Sequence, residues 1–199
     1  MNARSYLKTF CAMLLLAFLA GCAEAPKQAV DATNAALEAA KAAEADRYAA
    51  DLFNAAKDSL AAAMTEVENQ NAKFALTRNY GRAQQLLDSA LTGLNNAKDA
   101  AAANKEKVKV EADTLAKALA AGIENAKKLM TKAPRGKEGK AALEMIQNDI
   151  SAVEASVAEI STAAASGDYL SARDKAQAGL AKINSIVEEL NQAIAKKSR

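Results

Sequence analysis

Few residues in this chain have the chemistry of a reactive site, since it contains two cysteines and no histidine. One of the cysteines, Cys22, follows closely on an uncharged and mostly apolar run that occupies residues 10–20. Two positive charges, Arg4 and Lys8, precede that run. At about 11 residues, the run matches the core of a secretory signal peptide and falls short of the roughly 20 residues that a membrane-spanning helix needs. The start of the chain therefore predicts a secretory signal rather than a membrane span.

Residues 19–22 read Leu-Ala-Gly-Cys, which resembles the signal of bacterial lipoproteins at every position. The resemblance implies cleavage between Gly21 and Cys22, a diacylglyceryl group on the Cys22 sulfur, and a fatty acid such as palmitate on the new amine. Two or more lipid chains hold a protein stably on a bilayer. Ala23 stands where an aspartate marks retention at the inner membrane, so the resemblance implies an outer-membrane anchor facing the periplasm. The alternative is an ordinary signal peptide in which the cysteine stands by chance.

The chain beyond Cys22 has no thiol and no histidine, which excludes catalysis through either group and excludes zinc sites built from them. Carboxylates, lysines and hydroxyls remain, but they are scattered. Glu188 and Glu189, for example, are neighbours on a predicted helix, so their side chains point apart. We therefore expect no enzyme, no cofactor and no metal site.

The net charge argues against a nucleic-acid partner. Lysine and arginine number 26 and the acids 24, and removal of Arg4 and Lys8 with the signal leaves 24 of each. A nucleic-acid surface needs a basic stripe, usually with aromatic residues, and the sequence shows neither.

The composition predicts an all-α fold. Apolar residues make up 51% of the chain and aromatic residues only 4%, because much of the apolar share is alanine. Alanine has the highest helix propensity, and the chain has only two prolines and eight glycines. The apolar residues recur at intervals of three and four, which indicates elongated antiparallel hairpins in a coiled-coil-like bundle of about four long helices.

Breaks in the periodicity divide the chain into a signal peptide at 1–21, a lipidated tether at 22–28, a long helical hairpin at 29–133 and a C-terminal hairpin at 134–199. The four helices are expected at 29–75, 80–132, 137–165 and 169–195. Asn79 and Asp168 are the expected caps of the second and fourth helices, because short polar side chains can accept from free backbone N–H groups. Pro134 cannot continue a helix and marks the break between the hairpins.

Each predicted helix has a row of core residues. The first helix places Leu52, Leu60, Val67 and Phe74 in the core. The second has a strict seven-residue row of Leu87, Leu94, Ala101, Val108, Leu115, Gly122 and Leu129, with Leu91, Ala112, Leu119 and Ala126 as companions. The third has Leu143, Ile146, Ile150, Val153, Val157, Ile160 and Ala164. The fourth has Ala176, Leu180, Ile183, Val187, Leu190 and Ile194.

The stretches AKAAEADRYAADLFNAAKDSL and FALTRNYGRAQQLLDSALTGLNNAK resemble a family of alanine-rich helical bacterial lipoproteins over residues 31–107. The conserved domain of that family has no known function, so the resemblance implies an envelope lipoprotein but no activity and no site residues. The family often has Tyr-Ala-Pro where this chain has Tyr48, Ala49 and Ala50. The missing proline predicts an uninterrupted first helix.

Two further sets of residues could be read as binding sites. Tyr48, Tyr80 and Tyr169 could form a recognition set, but tyrosines beside helix caps usually pack over the neighbouring turn. The basic segment at 134–140 could bind an anion, but such loops are usually only solvated.

The sequence thus favours a lipid-anchored envelope protein that acts as a structural spacer, scaffold or interaction module. Its expected partners are the membrane, through the lipid on Cys22, and an envelope protein of unknown identity or a second copy of the chain. The alternative is a carrier that holds an apolar ligand between its helices.

Overall fold

The computed structural model describes residues 24–134 and 139–197, and within them every regular element is a helix. The elements are α1 (Lys27–Ala42), α2 (Ala45–Tyr48), α3 (Ala50–Asn71), a 3-10 helix (Ala75–Thr77), α4 (Gly81–Lys132), α5 (Gly139–Ala165) and α6 (Tyr169–Lys197). The predicted all-α class is confirmed. The observed ends of α4, α5 and α6 lie within two residues of the predicted ones.

Both predicted caps are present. The Gly81 amide donates to Asn79 Oδ1 at 2.9 Å, and the Ser171 amide donates to Asp168 Oδ1 at 3.4 Å. Gly167, just before Asp168, has φ of +82°, a conformation that glycine adopts without the steric cost of a Cβ. These bonds satisfy N–H groups that the first turn of a helix leaves free, which is why the polar residues stand there.

The uninterrupted first helix is wrong. Glu44 has φ of 55° and ψ of 37°, in the left-handed region, and this residue separates α1 from the single turn of α2. Ala49 is also non-helical, and α3 begins at Ala50. The first position of a helix is one where proline is accepted, and here the break is made without a proline.

Burial explains why the break forms despite the helix propensity of alanine. The reversal brings apolar residues of α1 and α3 onto the same stretch of α4, in a core of Leu60, Ala63, Leu87 and Ala90 flanked by Ala29, Val30 and Leu37. If the two segments were one straight rod, only one of the two faces could reach that core. Tertiary packing therefore outweighs local propensity at Glu44.

Glu44→Gly should stabilise the protein, by up to about 1 kcal/mol, because glycine takes the left-handed conformation without the cost that a side chain adds. The matched control is Glu38→Gly in the interior of α1, which should destabilise by about 1 kcal/mol. Both glutamates form exposed ion pairs with a basic residue three positions along, so the lost pairs nearly cancel. Urea denaturation followed by circular dichroism gives the free energy of unfolding of both variants. A loss of stability in both variants would indicate that the helix continues through Glu44.

The chain forms two compact units that divide between Ala103 and Asn104, inside α4. The lengths of the helices account for this. The 16 residues of α1 and the 22 of α3 span about 24 and 33 Å, whereas the 52 of α4 span about 78 Å. Because the first segment folds back on itself, it packs along only the N-terminal part of α4.

The first unit is held by very small side chains. A Cβ placed on Gly93 of α4 would lie 2.9 Å from the Cβ of Ala56 on α3, closer than two carbons can approach. The two helices are therefore in contact at this point with no room for a larger residue. Such close approach compensates for the small area that each alanine buries.

The second unit packs α5 and α6 against the C-terminal part of α4. Its core contains Ala112, Leu119, Ile123, Ala126, Ile150, Val153, Ile160, Ala172, Ala176, Ile183, Ile186 and Leu190. α5 and α6 run antiparallel around the turn at Gly167, as the Lys182–Asp149 ion pair of 2.7 Å and the Lys175–Glu159 pair show. This register brings the neighbourhood of Val153 on α5 opposite that of Ile183 on α6.

Several predicted core positions are corrected. Leu52 and Phe74 are exposed, and Phe53 is the buried aromatic residue of α3. Val157 is exposed on α5, because Ser156 lies beside Gly179 of α6 instead. On α6, the buried Ile186 was not in the predicted row.

The strict row on α4 is correct only in the first unit. Leu87, Leu94 and Ala101 are buried, whereas Val108, Leu115, Gly122 and Leu129 are half-buried and their companions Ala112, Leu119 and Ala126 are buried instead. A straight α-helix drifts by about 20° per heptad from an exact seven-residue repeat, so one row cannot remain at the centre of the core over so many turns.

Candidate functional site

The predicted site residues Gly21 and Cys22 lie outside the described residues, which begin at Glu24. The tether that follows Cys22 is described from Glu24 onward. Three peptide units separate Cys22 from Ala25, a span of at most about 11 Å when fully extended. The position of Ala25 thus bounds where a lipid on Cys22 can lie.

Ala25 packs against the buried cluster of Val67, Tyr80 and Ala83. The chain then enters α1 at once, with the Val30 amide donating to the Pro26 carbonyl at 3.0 Å. Val67 belongs to the last turns of α3, and Ala83 belongs to the first turn of α4. The tether therefore lies at the end of the first unit where α3 gives way to α4.

That end of the unit is held by a network of polar side chains. Tyr80 is buried and its hydroxyl donates to Asn71 Oδ1 at 2.5 Å. The buried Gln70 accepts from the Asn79 amide at 3.0 Å and donates to Glu66 Oε1 at 2.7 Å. The turn beside the tether is therefore a fixed structure. Gln70 is not among the residues predicted from the sequence, because a glutamine whose hydrogen bond reaches nine residues along the chain follows no periodic pattern.

The three tyrosines do not form one site. Tyr48 and Tyr80 are buried in the first unit, whereas Tyr169 is half-buried in the second, with Lys109 Nζ 6.0 Å from its ring centroid. Tyr80 and Tyr169 each follow a capping residue and precede a fully buried alanine three positions on, Ala83 or Ala172. The repeated pattern of cap, tyrosine and alanine is a packing device, as the sequence favoured.

The other candidate residues are dispersed. Residues 135–138 of the basic segment lie outside the described part of the chain, and Glu188 and Glu189 are exposed on α6. Among residues 24–134 and 139–197, no three carboxylates or metal-binding side chains come together as a cation site.

The resolved pKa shifts come from exposed ion pairs of the second unit. The hydrogen bond from Lys175 lowers the pKa of the Glu159 carboxyl, and the hydrogen bond to Glu154 raises the pKa of Lys127. Both shifts stabilise the charged forms, which is what surface ion pairs do and not what a proton-transferring group needs.

Grooves in the described units are open to solvent. One of about 630 Å³ lies along the tether in the first unit, with Pro26, Lys27 and Asp88 in its walls. Another of about 360 Å³ lies between Met130 and Leu143 in the second unit. A carrier of an apolar ligand buries most of that ligand's surface, whereas these grooves would leave one side in water.

No helix in the part of the chain that the structure describes has the length and apolar character needed to cross a membrane. No protein-family model, curated protein or solved structure matches this chain. The resemblance to alanine-rich lipoproteins therefore stays a prediction from residues 31–107 and from the motif at 19–22.

Proposed function

We propose that this protein is a lipid-anchored component of the bacterial cell envelope that serves as a structural spacer, scaffold or interaction module. The observation that carries the proposal is the Leu-Ala-Gly-Cys motif at residues 19–22, placed after two positive charges and an apolar run of signal-peptide length. The anchor is the lipid on Cys22, and the outer membrane facing the periplasm is its proposed location.

The helical body supports a role in contact and spacing. Its cores contain many alanines and a smaller number of leucines, isoleucines, valines and aromatic residues, and the contact at Gly93 shows how closely two of its helices approach. Its surface has exposed ion pairs such as Lys182–Asp149. Such a body offers long polar helix faces to another protein or to a second copy of the chain. The open grooves give the carrier alternative no specific support.

The lipid is tested by intact-mass analysis of the protein purified from envelope membranes. The expected mass is that of the chain starting at Cys22 plus a diacylglyceryl group and one further acyl chain. A chain that starts at Cys22 without added lipid, or one cleaved elsewhere, contradicts the anchor.

The interaction role is tested separately by crosslinking in intact cells, followed by purification through a C-terminal tag and identification of the attached chains. A reproducible envelope protein or a crosslinked dimer is expected. A lipidated protein that crosslinks to nothing would contradict the scaffold role and leave the anchor standing.

A further inference from the structure

The turn between α3 and α4 exposes two large apolar side chains next to each other. Phe74 is 73% exposed and Leu76 is 63% exposed, on either side of the first residue of the 3-10 helix Ala75–Thr77. A phenylalanine and a leucine this exposed in one short turn form an apolar patch, and the contact of that patch with water is energetically unfavourable. No core cluster among the described residues includes either side chain.

Hydrogen bonds within the turn hold its backbone in this arrangement. Arg78 Nε donates to the Lys73 carbonyl at 3.0 Å, and its Nη2 donates to the Asn71 carbonyl at 2.8 Å. The amide of Thr77 donates to the Phe74 carbonyl at 2.9 Å, and its hydroxyl donates to the same oxygen at 2.9 Å. The turn thus presents Phe74 and Leu76 outward, while the carbonyl groups of Asn71, Lys73 and Phe74 accept hydrogen bonds from within it, which lowers the cost of contact with an apolar medium.

The charged side chains of the turn itself are all positive, whereas Glu66 and Glu68 precede it on α3. Residues 72–82 contain Lys73, Arg78 and Arg82 and no acidic residue. Apolar side chains next to basic ones are the combination that peripheral proteins use at an anionic lipid surface. The chemistry of the turn therefore matches a phospholipid bilayer.

The position of the tether is the second reason to place the bilayer at the turn. Ala25 packs against Val67, Tyr80 and Ala83, which flank the turn in sequence, and only three peptide units separate Ala25 from Cys22. Acyl chains on Cys22 would therefore enter the membrane close to the end of the unit that carries Phe74 and Leu76.

We propose that the turn at residues 73–78 is a second membrane contact, in which Phe74 and Leu76 insert into the bilayer that holds the lipid on Cys22. This inference rests on the proposed lipid anchor. The contact would fix the orientation of the first unit at the membrane, which a single point of attachment at Cys22 does not do.

A single tryptophan tests the contact, because the natural chain contains none. Phe74→Trp is made in the full chain, and the lipidated protein is purified and reconstituted in vesicles of phosphatidylethanolamine and phosphatidylglycerol. In the vesicles, the fluorescence of Trp at this position should be shifted to the blue. The reference is the same variant in detergent-free buffer after its own lipid has been removed. The fluorescence in the vesicles should also lose intensity when the acyl chains of the vesicles are brominated.

The matched control is Leu52→Trp, at an exposed position in the first turn of α3. The 22 residues of α3 place it about 30 Å along the helix from the turn, beyond the reach of bromine in the bilayer. Its fluorescence should be the same with and without brominated lipid.

The outcomes separate the contact from the anchor. Lipid on Cys22 by intact mass with an unquenched tryptophan at position 74 would overturn the second contact and leave the anchor. A tryptophan that is blue-shifted in native envelopes but unquenched by brominated lipid would place a protein on the turn and also overturn the inference. A protein without lipid would overturn the anchor and the inference with it.

Discussion

Replacing Cys22 with alanine should abolish incorporation of a fatty-acid analogue and move the protein from the membrane fraction to the soluble fraction of lysed cells. Each buried methylene of a lipid chain contributes about 0.8 kcal/mol, so several acyl chains hold a protein stably on the membrane. Without the thiol there is no atom to accept the diacylglyceryl group. The remaining apolar run at residues 10–20 is too short to span the bilayer. The loss should therefore be nearly complete.

The chain supplies its own matched control in Cys11, the only other cysteine. Cys11→Ala makes the same change inside the segment that the motif predicts is removed, so labelling and fractionation should equal those of the natural protein. A Cys22→Ala protein that stays in the membrane, takes up the analogue and is processed normally would refute the lipoprotein assignment.

The helices that the sequence predicted well are those decided by local physics. Asn79, Asp168 and Pro134 act within a turn of their own position, so their effects on helix ends can be read without knowing the fold. The motif at Cys22 can be recognised from the sequence because the residues that define it are contiguous, and its cleavage and lipidation stay predictions.

The features that the sequence could not predict depend on distant partners. A glutamate in the left-handed conformation has no local signature, and Glu44 adopts it only because α1 and α3 must both reach α4. Alanine adds to the difficulty, since it stands on buried and exposed faces alike. Which of two neighbouring positions is buried, Leu52 or Phe53, is then decided by packing rather than by composition.

The turn beside the tether shows the same limit at the candidate site. Phe74 continues the three-four spacing of α3, so periodicity assigns it to the core, yet α3 ends at Asn71 and the side chain is exposed. The bonds of Arg78 to the carbonyls of Asn71 and Lys73 define that turn, and side-chain to backbone bonds of this kind have no repeat.

Ile150→Ala should destabilise the second unit by 2–5 kcal/mol, the usual cost of truncating a fully buried isoleucine. Ile150 is fully buried, and it is one of only three residues that α5 buries, the others being Val153 and Ile160. Because Asp149 pairs with Lys182, Ile150 lies in the stretch of the core that contains Ile183 and Ile186 of α6.

Two valines one turn apart on α5 provide the matched comparison, because Val153 is buried whereas Val157 is 37% exposed. Val→Ala gains the same helix propensity at both positions, so any difference between the two variants reports burial alone. Val153→Ala should cost about 1.5 kcal/mol or more, and Val157→Ala less than about 0.5 kcal/mol. Urea denaturation of the body without residues 1–22 measures the free energies, and hydrogen exchange of the α5 amides assigns the loss to the second unit. If both variants lose as much stability as is expected for Val153→Ala, Val157 is buried in the core, as the three-four spacing alone would predict.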